Sequence, residues 1–148
     1  MKGKTKLLYV LIINIPVAIA IALTAQLLAI GKIIVSLFII NLLIAYGIAF
    51  LIGMLIPVEP IGVGFAKLFK VKEGVVFGLL VNLPINFIYV TLISLIMTCF
   101  NVVILEKLPI GAFVGGFLGT YPVLYIVGYI VSFIANRPAM KTAQRITN

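Results

Sequence analysis

The side chains here that could do chemistry are mostly uncharged, and they sit inside long apolar runs. Asn82, Asn86 and Tyr89 fall at i, i+4 and i+7, and Tyr121, Tyr125, Tyr129 and Ser132 keep a similar interval further along. On a helix each set projects within one narrow arc. Asn14 with Thr24, and Asn41 with Tyr46, add polar groups to two earlier runs. Such groups give and take hydrogen bonds. What is missing narrows the chemistry further. The chain has no His, no Asp and no Trp, and its three acidic residues, Glu59, Glu73 and Glu106, all lie outside the apolar runs. General acid–base catalysis and a Cys/His zinc centre therefore lack their parts. A proton-coupled exchanger would need a titratable group inside the membrane, and none is present. We expect no enzyme, no catalytic residue, no cofactor and no metal site. Cys99 has no second cysteine to pair with and reads as a small apolar residue.

The elements that must hold those amides and phenols follow from composition. Of the 148 residues, 64% are hydrophobic and 9% charged, against roughly a quarter charged in soluble domains. So small a chain cannot bury that much apolar surface within itself. Uncharged runs cover Leu7–Ile30, Ile33–Val58, Gly74–Leu105 and Leu108–Asn136. Each is long enough for one spanning helix of about 20 residues and too short for two. The spacing predicts an all-α, polytopic membrane protein with four transmembrane helices, over about 7–30, 33–57, 74–99 and 109–135. Barrel strands are excluded, because the runs lack apolar/polar alternation. The first run is too long for the core of a cleavable signal and reads as a retained helix.

Lysine and arginine set the orientation. One side would carry Lys2, Lys4, Lys6, Lys67, Lys70, Lys72, Arg137, Lys141 and Arg145, and the other only Lys32 and Lys107. The positive-inside rule then places both termini in the cytoplasm. Residues 1–148 read as one membrane domain: a hairpin over 7–57, a cytoplasmic amphipathic link over 58–73, a second hairpin over 74–135 and a basic tail over 136–148. In the link, Ile61, Phe65, Leu68 and Phe69 recur at helical spacing opposite lysines. Two readings stay open, a solvated basic loop and an interfacial helix whose Lys67, Lys70 and Lys72 meet lipid headgroups. Lys141 and Arg145 would do the same from the tail. Net charge +8 is explained by topology, and no basic face with stacking aromatics points to nucleic acid.

The two hairpins invite comparison as tandem repeats. Asn14-Ile15-Pro16 and Asn82-Leu83-Pro84 sit at matching depth, and Pro60 and Pro138 each precede a basic residue by seven. Parallel repeats about an axis along the membrane normal would follow. The run Pro60-Ile61-Gly62 to Ala66-Lys67, followed by Lys72-Glu73-Gly74 opening a second pair of helices, resembles tandem members of a bacterial membrane family catalogued as domain of unknown function 2798. The resemblance spans nearly the whole chain through degenerate apolar motifs, and Asn136-Arg137-Pro138 departs from its pattern. It implies a small inner-membrane protein and no particular activity.

In hydrocarbon, Asn and Tyr side chains must turn away from lipid. Asn14, Asn41, Asn82, Asn86, Tyr89, Tyr121, Tyr125 and Tyr129 are therefore candidates to line an intramembrane path, or else to tie helices together by hydrogen bonds. Small residues mark close helix approach: Ala18 and Ala22, then Ala45, Ala49 and Gly53, then Gly111, Gly115 and Gly119. Three such faces suggest a homo-oligomer, most simply a dimer. The expected function is passive passage of a small solute or ion. The alternative is an accessory or structural subunit packed against another membrane protein or lipid.

Overall fold

The computed structural model describes residues 3–148; Lys2, counted above among the basic residues, lies outside the described residues. The order is α1 (Gly3–Ile30), α2 (Val35–Leu55), α3 (Val58–Leu68), α4 (Gly74–Thr98) and α5 (Ile110–Thr147), with a π-helical segment, Cys99–Leu105, continuing α4. No strand occurs among the described residues. The chain is all-helical, and four of its helices, at Gly3–Ile30, Val35–Leu55, Gly74–Leu105 and Ile110–Thr147, are long and apolar enough to cross a membrane.

α1, α2 and α4 are apolar all round, as helices solvated by lipid are, and α3 alone has distinct apolar and charged faces. α1 closes at Gly31, whose φ of 72° takes the left-handed conformation that ends many helices. Ile56 and Pro57 break the chain between α2 and α3, since a residue before proline is driven out of the helical region.

The long helices form a ring in which α1 neighbours α2 and α5, and α4 neighbours α2 and α5. α1 therefore stands opposite α4. Val17, Ala18, Ile21, Ala45, Ala49, Val90, Ile93, Met97 and Leu124 fill the centre. Outside the ring, Leu43, Leu118 and Ile134 are 66%, 62% and 67% exposed, in company with many other apolar side chains. No soluble surface carries so continuous an apolar coat, and it suits a hydrocarbon solvent. α3 lies against α4, where Gly62 lets the two backbones meet: a Cβ there would stand 2.6 Å from the Val81 carbonyl oxygen.

Several predicted boundaries move. α1 begins at Gly3 rather than near residue 7, so Lys4 and Lys6 ride on the helix. α2 is shorter than 33–57 at both ends, because Gly31 and Pro57 hold its flanks extended or turned. The third span does not stop near 99 but runs on through the π segment to Leu105. The largest change is at the C-terminus. Residues 136–148 are not a separate tail: α5 continues through Pro138 to Thr147, with Ala139 and Ala143 buried. Thr5 and Thr147 hydroxyls meet at 2.9 Å, so the last turns pack on the start of α1.

Both described ends of the chain thus lie at one end of the bundle, the terminal end, together with α3 and Lys4, Lys6, Lys67, Lys70, Lys72, Arg137, Lys141 and Arg145. The opposite, hairpin end carries Lys32 and Lys107.

Candidate functional site

Two largely apolar cavities with polar side chains in their walls open into the bundle from its two ends. The larger, of about 570 Å³, enters at the terminal end between Lys6, Tyr9 and Glu59 and reaches Asn14, Asn82, Asn86 and Tyr89. The smaller, of about 100 Å³, lies towards the hairpin end and is lined by Gln26, Asn41, Ser94 and Asn101 among others, with Glu106 also in its wall. Asn14 and Gln26 are separated along α1 by about 18 Å at 1.5 Å per residue. Between them sit Val17, Ala18, Ile21, Val90 and Ile93, all buried. An apolar layer of this kind blocks water and ions by denying them partners.

Glycine sets the tightness of that layer. A Cβ on Gly128 would fall 2.8 Å from Val90 Cγ2 and 3.0 Å from Asn86 Oδ1, with Ile21 close behind. On α2, a Cβ at Gly53 would fall 2.7 Å from Val10 Cγ1 and 2.8 Å from the Tyr89 hydroxyl.

The eight predicted lining residues divide three ways. Asn14, Asn82, Asn86 and Tyr89 line the larger cavity. Asn41 lines the smaller. Tyr121, Tyr125 and Tyr129 line neither; they stand along the seam between α5 and α4. Tyr125 donates to the Leu83 carbonyl at 3.1 Å and Tyr129 to the Leu79 carbonyl at 2.9 Å, while the Tyr121 and Thr91 hydroxyls meet at 2.8 Å. The asparagines answer in kind. Asn82 Nδ2 donates to the Tyr129 carbonyl and to Ser132 Oγ, and Asn86 Nδ2 donates to the Tyr125 carbonyl at 2.9 Å. Each asparagine of α4 thus caps a carbonyl of α5, and the tyrosine owning that carbonyl caps one three residues before the asparagine. The pattern repeats one turn later. The reason is chemical: a phenol in an apolar setting takes the nearest acceptor, and backbone carbonyls keep a second lone pair.

Asn14 differs from its neighbours. It is 2% exposed, and its Nδ2 has no hydrogen-bond partner within the protein. At the hairpin end the unpartnered atoms are oxygens: Gln26 Oε1, Ser94 Oγ and Asn101 Oδ1. No sequence interval marks these three as a set, because they come from separate helices. Ser94 does lie eight residues after Asn86, and Gln26 four after Ala22, so each continues a buried face.

The small-residue faces also divide. Ala18, Ala22, Ala45, Ala49 and Gly53 are buried inside the ring. Gly111, Gly115 and Gly119 are not packing positions within the chain: a Cβ at any of them would meet nothing within 4 Å. In α5 the close contacts come from Gly116 and Gly128 instead. Lys67, Lys70, Lys72, Lys141 and Arg145, the predicted headgroup residues, are all exposed. No family model, curated protein or solved structure matches the chain.

Proposed function

We propose that the protein passes a small polar solute or ion across a lipid bilayer, with the terminal end facing the cytoplasm. The observation that supports it best is the larger cavity, which runs from the basic rim to an unpartnered amide about 16 Å along α1 from Gly3. Counted from Leu7, where the uncharged run begins, Asn14 lies about 10 Å into a hydrocarbon core of roughly 30 Å. No hydrogen bond fixes the Asn14 amide, so it can present either its donor or its acceptor. A group of that kind suits a small hydrogen-bonding solute. The apolar layer beyond it would make this an inward-open, outwardly closed arrangement, and passage would need the layer to part. The basic rim at the terminal end supports the orientation, through the retention of lysine-rich loops in the cytoplasm.

Purified protein in liposomes should carry small polar solutes faster than protein-free vesicles do. Asn14→Leu should reduce that flux while leaving expression and folding intact. Flux equal to that of empty vesicles, across uncharged solutes and common ions alike, would reject the proposal.

A second reading is supported by Gly111, Gly115 and Gly119. This stripe is open on the outside of α5, where a helix of a second copy or of another membrane protein could approach closely. Its sign would be an oligomer or a co-purifying partner in mild detergent, lost in Gly115→Leu while the monomer still folds.

A further inference from the structure

The smaller cavity has a hydrogen-bonding character of its own. Gln26 is 2% exposed and Ser94 1% exposed, and the oxygen of each is without a partner in the protein. The orientations of the two amides are set by their nitrogens. Gln26 Nε2 donates to the Ile34 carbonyl at 3.1 Å, so Oε1 is the end left without a partner. Asn101 Nδ2 donates both to Asn41 Oδ1 and to the Met97 carbonyl, each at 2.8 Å, so its Oδ1 is likewise left over. Reversing either amide would set oxygen against oxygen. The cavity wall therefore offers acceptors from three elements, α1, α4 and the π segment, and every amide N–H of Gln26 and Asn101 that is placed by these bonds points elsewhere. Buried acceptors left unmatched are costly, because they give up water and receive nothing in return. The three residues that carry them line the same cavity, a pattern that a ligand rich in positive charge would relieve.

We propose that this cavity binds a small monovalent cation, through Gln26 Oε1, Ser94 Oγ and Asn101 Oδ1. The one charged side chain in the wall, Glu106, is negative, which disfavours an anion. A calcium-like divalent ion takes six to eight oxygens, several of them from carboxylates, whereas a single carboxylate, Glu106, lines this cavity. Neutral carbonyl and hydroxyl dipoles replace the hydration of alkali ions, in channel filters and at the broken helices of transporters alike. The π segment supplies the local irregularity here, carrying Asn101 round to Asn41. A volume of about 100 Å³ leaves room for a cation with accompanying water. Glu106 gives the mouth one negative charge; Lys32 and Lys107 stand exposed at the same end, and neither lines the cavity.

Binding can be tested without any flux measurement, so it stands or falls separately from the passage proposal. Full-length protein in detergent is titrated with sodium, potassium or ammonium chloride, with ionic strength held by choline chloride, and its melting temperature is followed. The expected result is a saturable rise with at least one small cation and none with choline. The order among sodium, potassium and ammonium identifies the ion. Ser94→Ala removes an unpartnered oxygen without removing any hydrogen bond. It should melt no lower than the parent in choline, yet need about tenfold more cation for half of the shift, the loss expected for one bond to a charge. Gln26→Glu, which adds a charge at the same position, should lower the half-saturating concentration. Equal responses to all salts would mean that water alone satisfies the oxygens, and would overturn the proposal. So would a response to calcium alone, or an unchanged titration in Ser94→Ala.

Discussion

The two cavities are made from the same few residue types and yet present opposite faces to a visitor. At the terminal end, Asn82 and Asn86 spend their amide N–H groups on α5, and only Asn14 keeps an unpartnered nitrogen. At the hairpin end, the amide nitrogens of Gln26 and Asn101 are spent and three oxygens remain. An amide's identity therefore says little about what it offers a solute; what matters is which half of it the neighbouring helices have already taken. The larger cavity is wide and has Lys6 and Glu59 at its entrance, and the smaller is tight, with three unpartnered oxygens on its lining residues. The layer around Ile21 and Val90 keeps them distinct.

The sharpest way to break that distinction is to disturb the layer. Gly128→Leu places carbon where Val90 and Asn86 already stand. Overpacking of this kind costs about 1–3 kcal/mol. It should show as a lower melting temperature and reduced yield of folded protein, whereas Gly115→Leu should change stability by less than about 0.5 kcal/mol. Next in size is Ile21→Asn, which puts a hydrogen-bonding group in the apolar layer. In vesicles it should raise solute leakage about tenfold, the effect of lowering a barrier by about 1.4 kcal/mol. Unchanged leakage would mean that the barrier lies elsewhere. Smaller still are the seam changes. Tyr125→Phe and Tyr129→Phe each remove one bond to a carbonyl of α4. Each should cost about 0.6 kcal/mol, read by equilibrium unfolding in detergent or bicelles. If either instead abolishes flux with stability intact, the tyrosines belong to the path after all. Cys99→Ala, at an exposed position, should alter nothing measurable.

The spans were legible because lipid imposes a length and a composition that charged residues punctuate. The 58–73 link was legible only in part: the spacing of Ile61 and Phe65 allowed a helix without deciding it against a basic loop, and the helix forms over Val58–Leu68. The end of α5 was not. Asn136-Arg137-Pro138 looks like an exit, and only the packing of Ala139 and Ala143 against α1 shows why the helix carries on. For the polar residues, sequence spacing fixes the arc on which Tyr125 or Asn82 lies, but not whether that arc faces a cavity or a neighbour's backbone. The acceptor cluster was least legible of all. It joins Gln26, Ser94 and Asn101 from distant parts of the chain, and the third depends on a π segment that no local pattern announces.

That segment makes chain length itself a functional variable. A regular α-helix advances about 100° per residue, so deleting a single residue between Thr98 and Asn101 would put everything downstream out of phase by about that much. Asn101 would swing off Asn41, and the mouth containing Glu106 would turn with it. Point changes there can be conservative in chemistry; insertions and deletions cannot.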